Sequence, residues 1–191
     1  TTAVTGMGAS LAALAPALGG LAVGQEFVRA NVAAESLERT LVQLTGSAES
    51  AAAETDYLKT TANRLGLEVN TTSRAYISLM AAAKGTALEG AGQRQIFEAV
   101  AGAMSKLGKS SADTEGVLQA VTQMMSKGVV SMEEWRQQLG ERLPGAAQAT
   151  ADALGITVGE LNEMIGSGNV LASDLLPALA QGMEKVYGTA G

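Results

Sequence analysis

Cysteine and histidine are both missing from the 191 residues, which removes thiolate nucleophiles, disulfides, imidazole bases and the usual zinc ligands together. Aromatic side chains are scarce too, at two Phe, three Tyr and one Trp, too few to wall a sugar site of the kind that paired-carboxylate chemistry serves. Glu133 and Glu134 are adjacent, but helix neighbours point about 100° apart and cannot flank one bond. They read as first-turn acids complementing a helix dipole. The expectation is a protein with no catalytic residue, no cofactor and no metal, not an enzyme.

Large apolar side chains are in short supply as well. The hydrophobic share of 47% rests on abundant alanine, a composition that favours closely packed helices over a thin core. The length suits one medium domain, or a domain with an arm, burying about two thirds of the unfolded chain's surface. The first residue is Thr1, with no methionine or basic stretch before the apolar run, so the expectation is a processed product or a piece of a longer protein. The net charge of −6 is uneven: residues 131–191 carry eight acids and three bases, whereas residues 1–130 are nearly balanced.

Charge is absent altogether from residues 1–25. There Met7, Leu11, Leu14, Leu18 and Leu21 recur at spacings of four and three, a heptad seam. The flanking positions are alanine and glycine where a water-exposed coiled coil would carry Glu and Lys. Gly20-x-x-x-Gly24 would allow close helix contact in a membrane, but Pro16 and the Gly19-Gly20 pair weaken an isolated helix there. The modest apolar bulk favours a helix buried among copies of itself or neighbouring proteins, with membrane insertion of residues 7–24 as the alternative.

From Glu26 the pattern becomes amphipathic, with Leu37, Leu41 and Leu44 on one face and a stop at Gly46. Further stops fall at Gly66, Gly85, Gly108, Gly128, Gly155 and Gly166, and starts at Ser47, Thr71 or Thr72, Ser111 and Ser173. No segment alternates as a strand does. The expected architecture is all-α: an apolar and amphipathic helical arm over residues 1–45, then a compact domain of about eight mostly short helices over residues 46–191.

The densest signal is KGVVSMEEWRQQLGERLPGA, residues 127–146. Ser131-x-x-Glu134 reads as a capping box. Met132, Trp135, Leu139 and Leu143 follow at i, i+3, i+7 and i+11, which puts Trp135, Leu139 and Leu143 on a buried stripe as structural anchors. Gly140 would let another backbone come close, and Pro144 ends this helix or opens the next. Only the amide pair Gln137 and Gln138 goes unexplained by packing. In the following stretch Ala151, Leu154, Gly155, Ile156, Leu161 and Met164 fall at the spacing of a helix-turn-helix DNA reader, with Thr157-x-x-Glu160 capping the second helix. That helix offers Glu160, Asn162 and Glu163 to a polyanion and no Lys or Arg, so the element reads as a packing corner without specific DNA binding.

With these residues laid out, the run 127–146, followed by Ala153-Leu-Gly-Ile-Thr157, Glu160-Leu161, Gly168-Asn-Val170 and Leu176-Pro177, resembles the tape-measure domain of tailed-bacteriophage tail proteins. Leu37-Glu-Arg-Thr-Leu41, Leu44-Thr-Gly46 and Ala75-Tyr76 are similar to its earlier helices, so the likeness covers most of residues 35–188. Trp135 departs from it, since the family more often has leucine there.

The resemblance implies a structural virion protein in the lumen of the tail tube, assembled in the host cytoplasm, that sets tube length and is released ahead of DNA at infection. It implies tail tube and tail tip or hub proteins as partners. The seam by itself calls for self-association, and the threefold tail-tip hub of the family makes a homotrimer the expected number. The competing functional class is a helix-turn-helix DNA-binding regulator. A membrane-active, channel-forming segment at residues 7–24, touching the host membrane, is the other alternative.

Overall fold

The computed structural model describes residues 35–188; the seam of Met7, Leu11, Leu14, Leu18 and Leu21 and the apolar stretch 7–24 lie outside them. The described fold is that of the compact unit that begins at Leu37. Residues 37–45, grouped with the arm in the sequence reading, belong to this unit. Leu41 is buried in its core, and the Lys84 ammonium donates to the Leu44 carbonyl at 2.9 Å.

The described residues are all-α. Helix α1 covers residues 35–45, followed by α2 (Ala48–Leu65), α3 (Val69–Ala83), α4 (Ala91–Lys106), α5 (Ser111–Lys127), a π-helix (Glu133–Gly140), α6 (Ala146–Leu154), α7 (Val158–Gly166) and α8 (Ala172–Tyr187). Among them the one extended pairing is an isolated antiparallel bridge between Val129 and Leu171. There the Val130 N–H donates to the Val170 carbonyl at 2.9 Å and the Ala172 N–H to the Gly128 carbonyl at 3.0 Å, tying the end of α5 to the start of α8.

Helix ends follow local chemistry. The Ser47 hydroxyl accepts the Ser50 N–H at 3.1 Å to start α2, and Gly66, Gly128 and Gly155 close α2, α5 and α6 in the left-handed region that a side chain would strain. Three starts differ from the sequence expectation. Helix α3 begins before Thr71, because the Glu68 carboxylate itself accepts the Asn70 and Thr71 N–H groups at 2.9 and 2.6 Å. Helix α5 is capped by Ser110 in a box with Asp113, while Ser111 accepts the Glu68 N–H at 2.8 Å and pins the two helix starts together. Helix α8 starts at Ala172, ahead of Ser173, since the bridge already orients that residue. Of the stops, Gly166 stays inside α7, and the left-handed turn falls on Gly168.

Two close helix pairs organise the core, α3 along α5 and α6 along α8, joined by α4 against α8 and by the π-helix against α5. Small residues set the spacing. Ala62, Ala83, Ala101, Ala120, Ala151 and Ala180 are all fully buried, so backbones approach where bulky side chains would hold them apart. The tightest point is Gly182 on α8, where a Cβ would come within 2.3 Å of the Ala149 carbonyl oxygen on α6. No helix among the described residues is long and apolar enough to cross a membrane.

Candidate functional site

The run 127–146 folds around its tryptophan. Trp135 is 2% exposed, and Leu139 and Leu143 are fully buried, so the structure places all three anchors in the core. The helix carrying Trp135 and Leu139 is not the expected α-helix: Glu133–Gly140 is wound as a π-helix, which closes on the i+5 partner and turns less per residue, and Leu143 lies in the turn that follows it. That winding changes which residues are covered. Met132, the first member of the apolar stripe, is only half-buried, whereas Glu134 is 2% exposed.

The expected capping box at Ser131 is therefore absent in that form. No side chain caps the start of the π-helix; instead the Ser131 hydroxyl donates to one oxygen of the Glu134 carboxylate, and the Lys127 ammonium, at the end of α5, pairs with the other. Glu134 is thus a buried charge with an ion-pair partner and a hydroxyl, not a first-turn acid turned to solvent as Glu133 is. The hydrogen bond to Glu134 holds the Lys127 ammonium above its usual pKa. Gly140 also plays another part than expected. A Cβ there would sit 3.1 Å from the Trp135 carbonyl, five residues back in the same helix, so the close approach is to its own backbone. On the outer side a groove of about 630 Å³ is lined by Met132, Glu133, Arg136, Gln137, Gly140 and Glu141. Gln137 lies in it; Gln138 does not line it.

Helices α6 and α7 form the corner read from the sequence. Gly155 at φ 70° turns the chain, and Thr157 and Glu160 form a complete capping box: the hydroxyl accepts the Glu160 N–H at 3.2 Å and the carboxylate accepts the Thr157 N–H at 2.8 Å. Ala151, Leu161 and Ile165 are buried, but Leu154 and Met164, counted among the inward positions of the helix-turn-helix spacing, are 40% and 46% exposed. The short α7 is covered chiefly by α6 alone, which leaves its rim open. The exposed face of α7 carries Glu160 and Glu163.

One constellation escapes the periodicity. Tyr57 on α2, Tyr76 on α3 and Phe97 on α4 meet in one cluster, Tyr76 and Phe97 edge to face at 4.8 Å and Tyr57 and Tyr76 at 5.6 Å. Glu54 and Arg94 pair beside it, Arg94 lies 4.6 Å from the Tyr57 ring centroid, and the two phenols donate to Glu54 and Glu98 at 3.2 and 2.8 Å. Burial pushes both tyrosine hydroxyls up, and the hydrogen bond to Glu54 raises Arg94. The signal was available: three of only five Phe and Tyr residues fall one each on three successive helices.

No group of three or more metal-ligating side chains occurs among the described residues. The family model for tape measure proteins matches residues 25–191. The chain belongs to the tape measure protein family. Over 130 residues it is 35% identical to the probable tape measure protein of Salmonella phage Felix O1 (isolate Felix O1-VT1), an alignment that covers 68% of this chain and 17% of that relative. The matched part is thus a small share of the tape measure relative's length. No solved structure matches the chain. Tape measure proteins are structural components of phage tails, and in this one the quoted run, the α6–α7 corner and the aromatic cluster all lie inside the matched region.

Proposed function

We propose that this chain is a compact helical section of a tail tape measure whose work is contact with other proteins. The observation that carries the reading is the family match over residues 25–191, together with a run 127–146 whose buried side chains are consumed by packing. In this reading the whole protein sets tail tube length by its own extension and is released ahead of the DNA. A helix rises about 1.5 Å per residue, so the ruler function belongs to long extended segments. Helices of 8 to 18 residues folded on one another do not measure distance. This section instead anchors or plugs one end of the rod.

The proposed location is the lumen of the tail tube, after assembly in the host cytoplasm. Proposed partners are further copies of the chain, as a homotrimer, and tail tube and tail tip or hub proteins. Contact of residues 7–24 with the host membrane remains the proposed alternative use of that uncharged stretch. Specific DNA binding is not proposed, because the exposed carboxylates of α7 oppose a polyanion.

The test is electron microscopy of tails from a phage whose tape measure contains this section. Trp135→Asp should abolish tails or leave them incomplete, without shortening the ones that form. Tails shortened in proportion to residues deleted from α2–α8, by about 1.5 Å per residue, would make this section part of the ruler and overturn the anchoring role. Normal, infectious tails after deletion of residues 47–188 would overturn the reading altogether.

A further inference from the structure

The sequence and the fold of residues 132–143 disagree in one respect. On an α-helical wheel Met132, Trp135, Leu139 and Leu143 share one face, and Glu134, about 200° round from Met132, lies on the far side. The π winding keeps Trp135 and Leu139 inside, with Leu143 buried in the turn beyond it, but it buries Glu134 and leaves Met132 only partly buried, packed against the core edge at the rim of the outer groove. An apolar pattern written for one winding and a fold that uses another is a local conflict, and such conflicts mark competing states.

What holds the π winding is visible. Glu134 is accommodated inside by the Lys127 ammonium and the Ser131 hydroxyl, and without both a buried carboxylate would be strongly unfavourable. Gly140 removes the second obstacle, since a Cβ there would press on the Trp135 carbonyl at 3.1 Å. A methyl group at that position carries no such penalty in an α-helix, where alanine is the better residue.

We propose that residues 132–143 form a two-register switch: a π register locked by Lys127 and Ser131 on Glu134, and an α register in which Met132 takes the buried place and Glu134 turns to solvent. The Lys127 side chain is 53% exposed, so a partner's carboxylate can reach it. Drawing its ammonium away would release Glu134. The change would be read on the outer surface, where Met132 leaves the groove it shares with Arg136 and Gln137. π-helical turns recur at functional positions because they can be gained or lost by such register shifts.

The experiment is nuclear Overhauser spectroscopy on the isotope-labelled 191-residue chain, reading through-space contacts along residues 132–143 and between the Met132 methyl group and the Trp135 indole. The unsubstituted chain should show the looser π spacing. Glu134→Gln, which keeps the shape and removes the charge, and Gly140→Ala should each move the population toward α spacing, about five-fold for Gly140→Ala, with the Met132 methyl now inside. Met132→Gln makes the α register bury an amide, and added to Gly140→Ala it should return the segment to π spacing. Retention of π spacing in both Glu134→Gln and Gly140→Ala overturns the switch. So does α spacing that persists in the Met132→Gln double variant, since the exchange of Met132 for Glu134 would then not be what separates the registers. Should Gly140→Ala fail to fold, Glu134→Gln decides alone.

Discussion

Ser131-Met-Glu-Glu134 and Thr157-Val-Gly-Glu160 are the same signal in the sequence and two different structures. At Thr157 the hydroxyl and the Glu160 carboxylate satisfy each other's backbone amides, and an α-helix follows. Both hydroxyls donate to the carboxylate three residues on, but at Ser131 neither group caps a backbone amide, the carboxylate turns inward to Lys127, and a π-helix follows. The difference lies outside the four residues. Glu160 is exposed, makes no salt bridge among the described residues, and accepts the Thr157 backbone amide instead. Glu134 sits beside Trp135, whose burial drags its neighbour in, and seven residues upstream Lys127 arrives at the end of α5 to meet it. A capping box is therefore conditional: its acid caps only when nothing stronger competes for it.

Replacing Trp135 tests the tertiary half of that comparison and carries the largest expected effect. Trp135→Ala should cost about 3 to 5 kcal/mol, because the indole is almost completely buried and its loss leaves a cavity under the π-helix. Urea denaturation followed by circular dichroism measures it. A loss below about 1 kcal/mol would mean that the indole is not what draws Glu134 inside. Next in size is Lys127→Ala, which takes the ion-pair partner from the Glu134 carboxylate, so that the fold must either strand the charge inside or give up the π register to release it. Its loss should fall below that of Trp135→Ala and be largely recovered by adding Glu134→Gln, since the cost is the stranded charge. A double-variant cycle without such recovery would show that Lys127 acts through packing alone.

How much of this was legible follows the same division. Helix α7 and its box could be read because every interaction involved lies within four residues, and the all-α architecture because glycine stops and apolar stripes are local signals too. Trp135, Leu139 and Leu143 were legible as a buried stripe, and all three are buried although the winding differs from the expected one. The π winding was not, because it depends on a partner from another helix, and neither were the exposed Leu154 and Met164, whose spacing says nothing of how little covers a nine-residue helix. The meeting of Tyr57, Tyr76 and Phe97 required knowing which faces of α2, α3 and α4 converge, which periodicity does not supply.

The smaller effects belong to the box that behaves as written. Thr157→Ala should cost about 1 kcal/mol, the ordinary worth of an N-cap hydroxyl, and hydrogen exchange should show the loss confined to α7. Equal loosening across α5 and the π-helix would mean that the corner and the run are one cooperative unit.

The last and smallest effect is acid sensitivity. The Thr157 N–H, then its hydroxyl, holds the Glu160 carboxyl below its ordinary pKa, and the Ser110 hydroxyl and N–H do the same for Asp113. Burial pushes Glu68 up, but the Thr71 and Asn70 groups that donate to it outweigh this and leave it lowered as well. A carboxylate whose native pKa is depressed stabilises the fold fully above the ordinary carboxylate range, and that contribution is lost as pH falls through the depressed native value. The urea midpoint should accordingly be flat near neutrality and decline below about pH 4. Glu160→Gln should lower the midpoint at neutral pH and make the decline shallower, because the group that titrates is gone while an amide still accepts one hydrogen bond. An unchanged acid slope in Glu160→Gln would mean that the box is formed but contributes no linkage, and the contrast between a titrating cap at Thr157 and an internal lock at Ser131 would then lose its electrostatic basis.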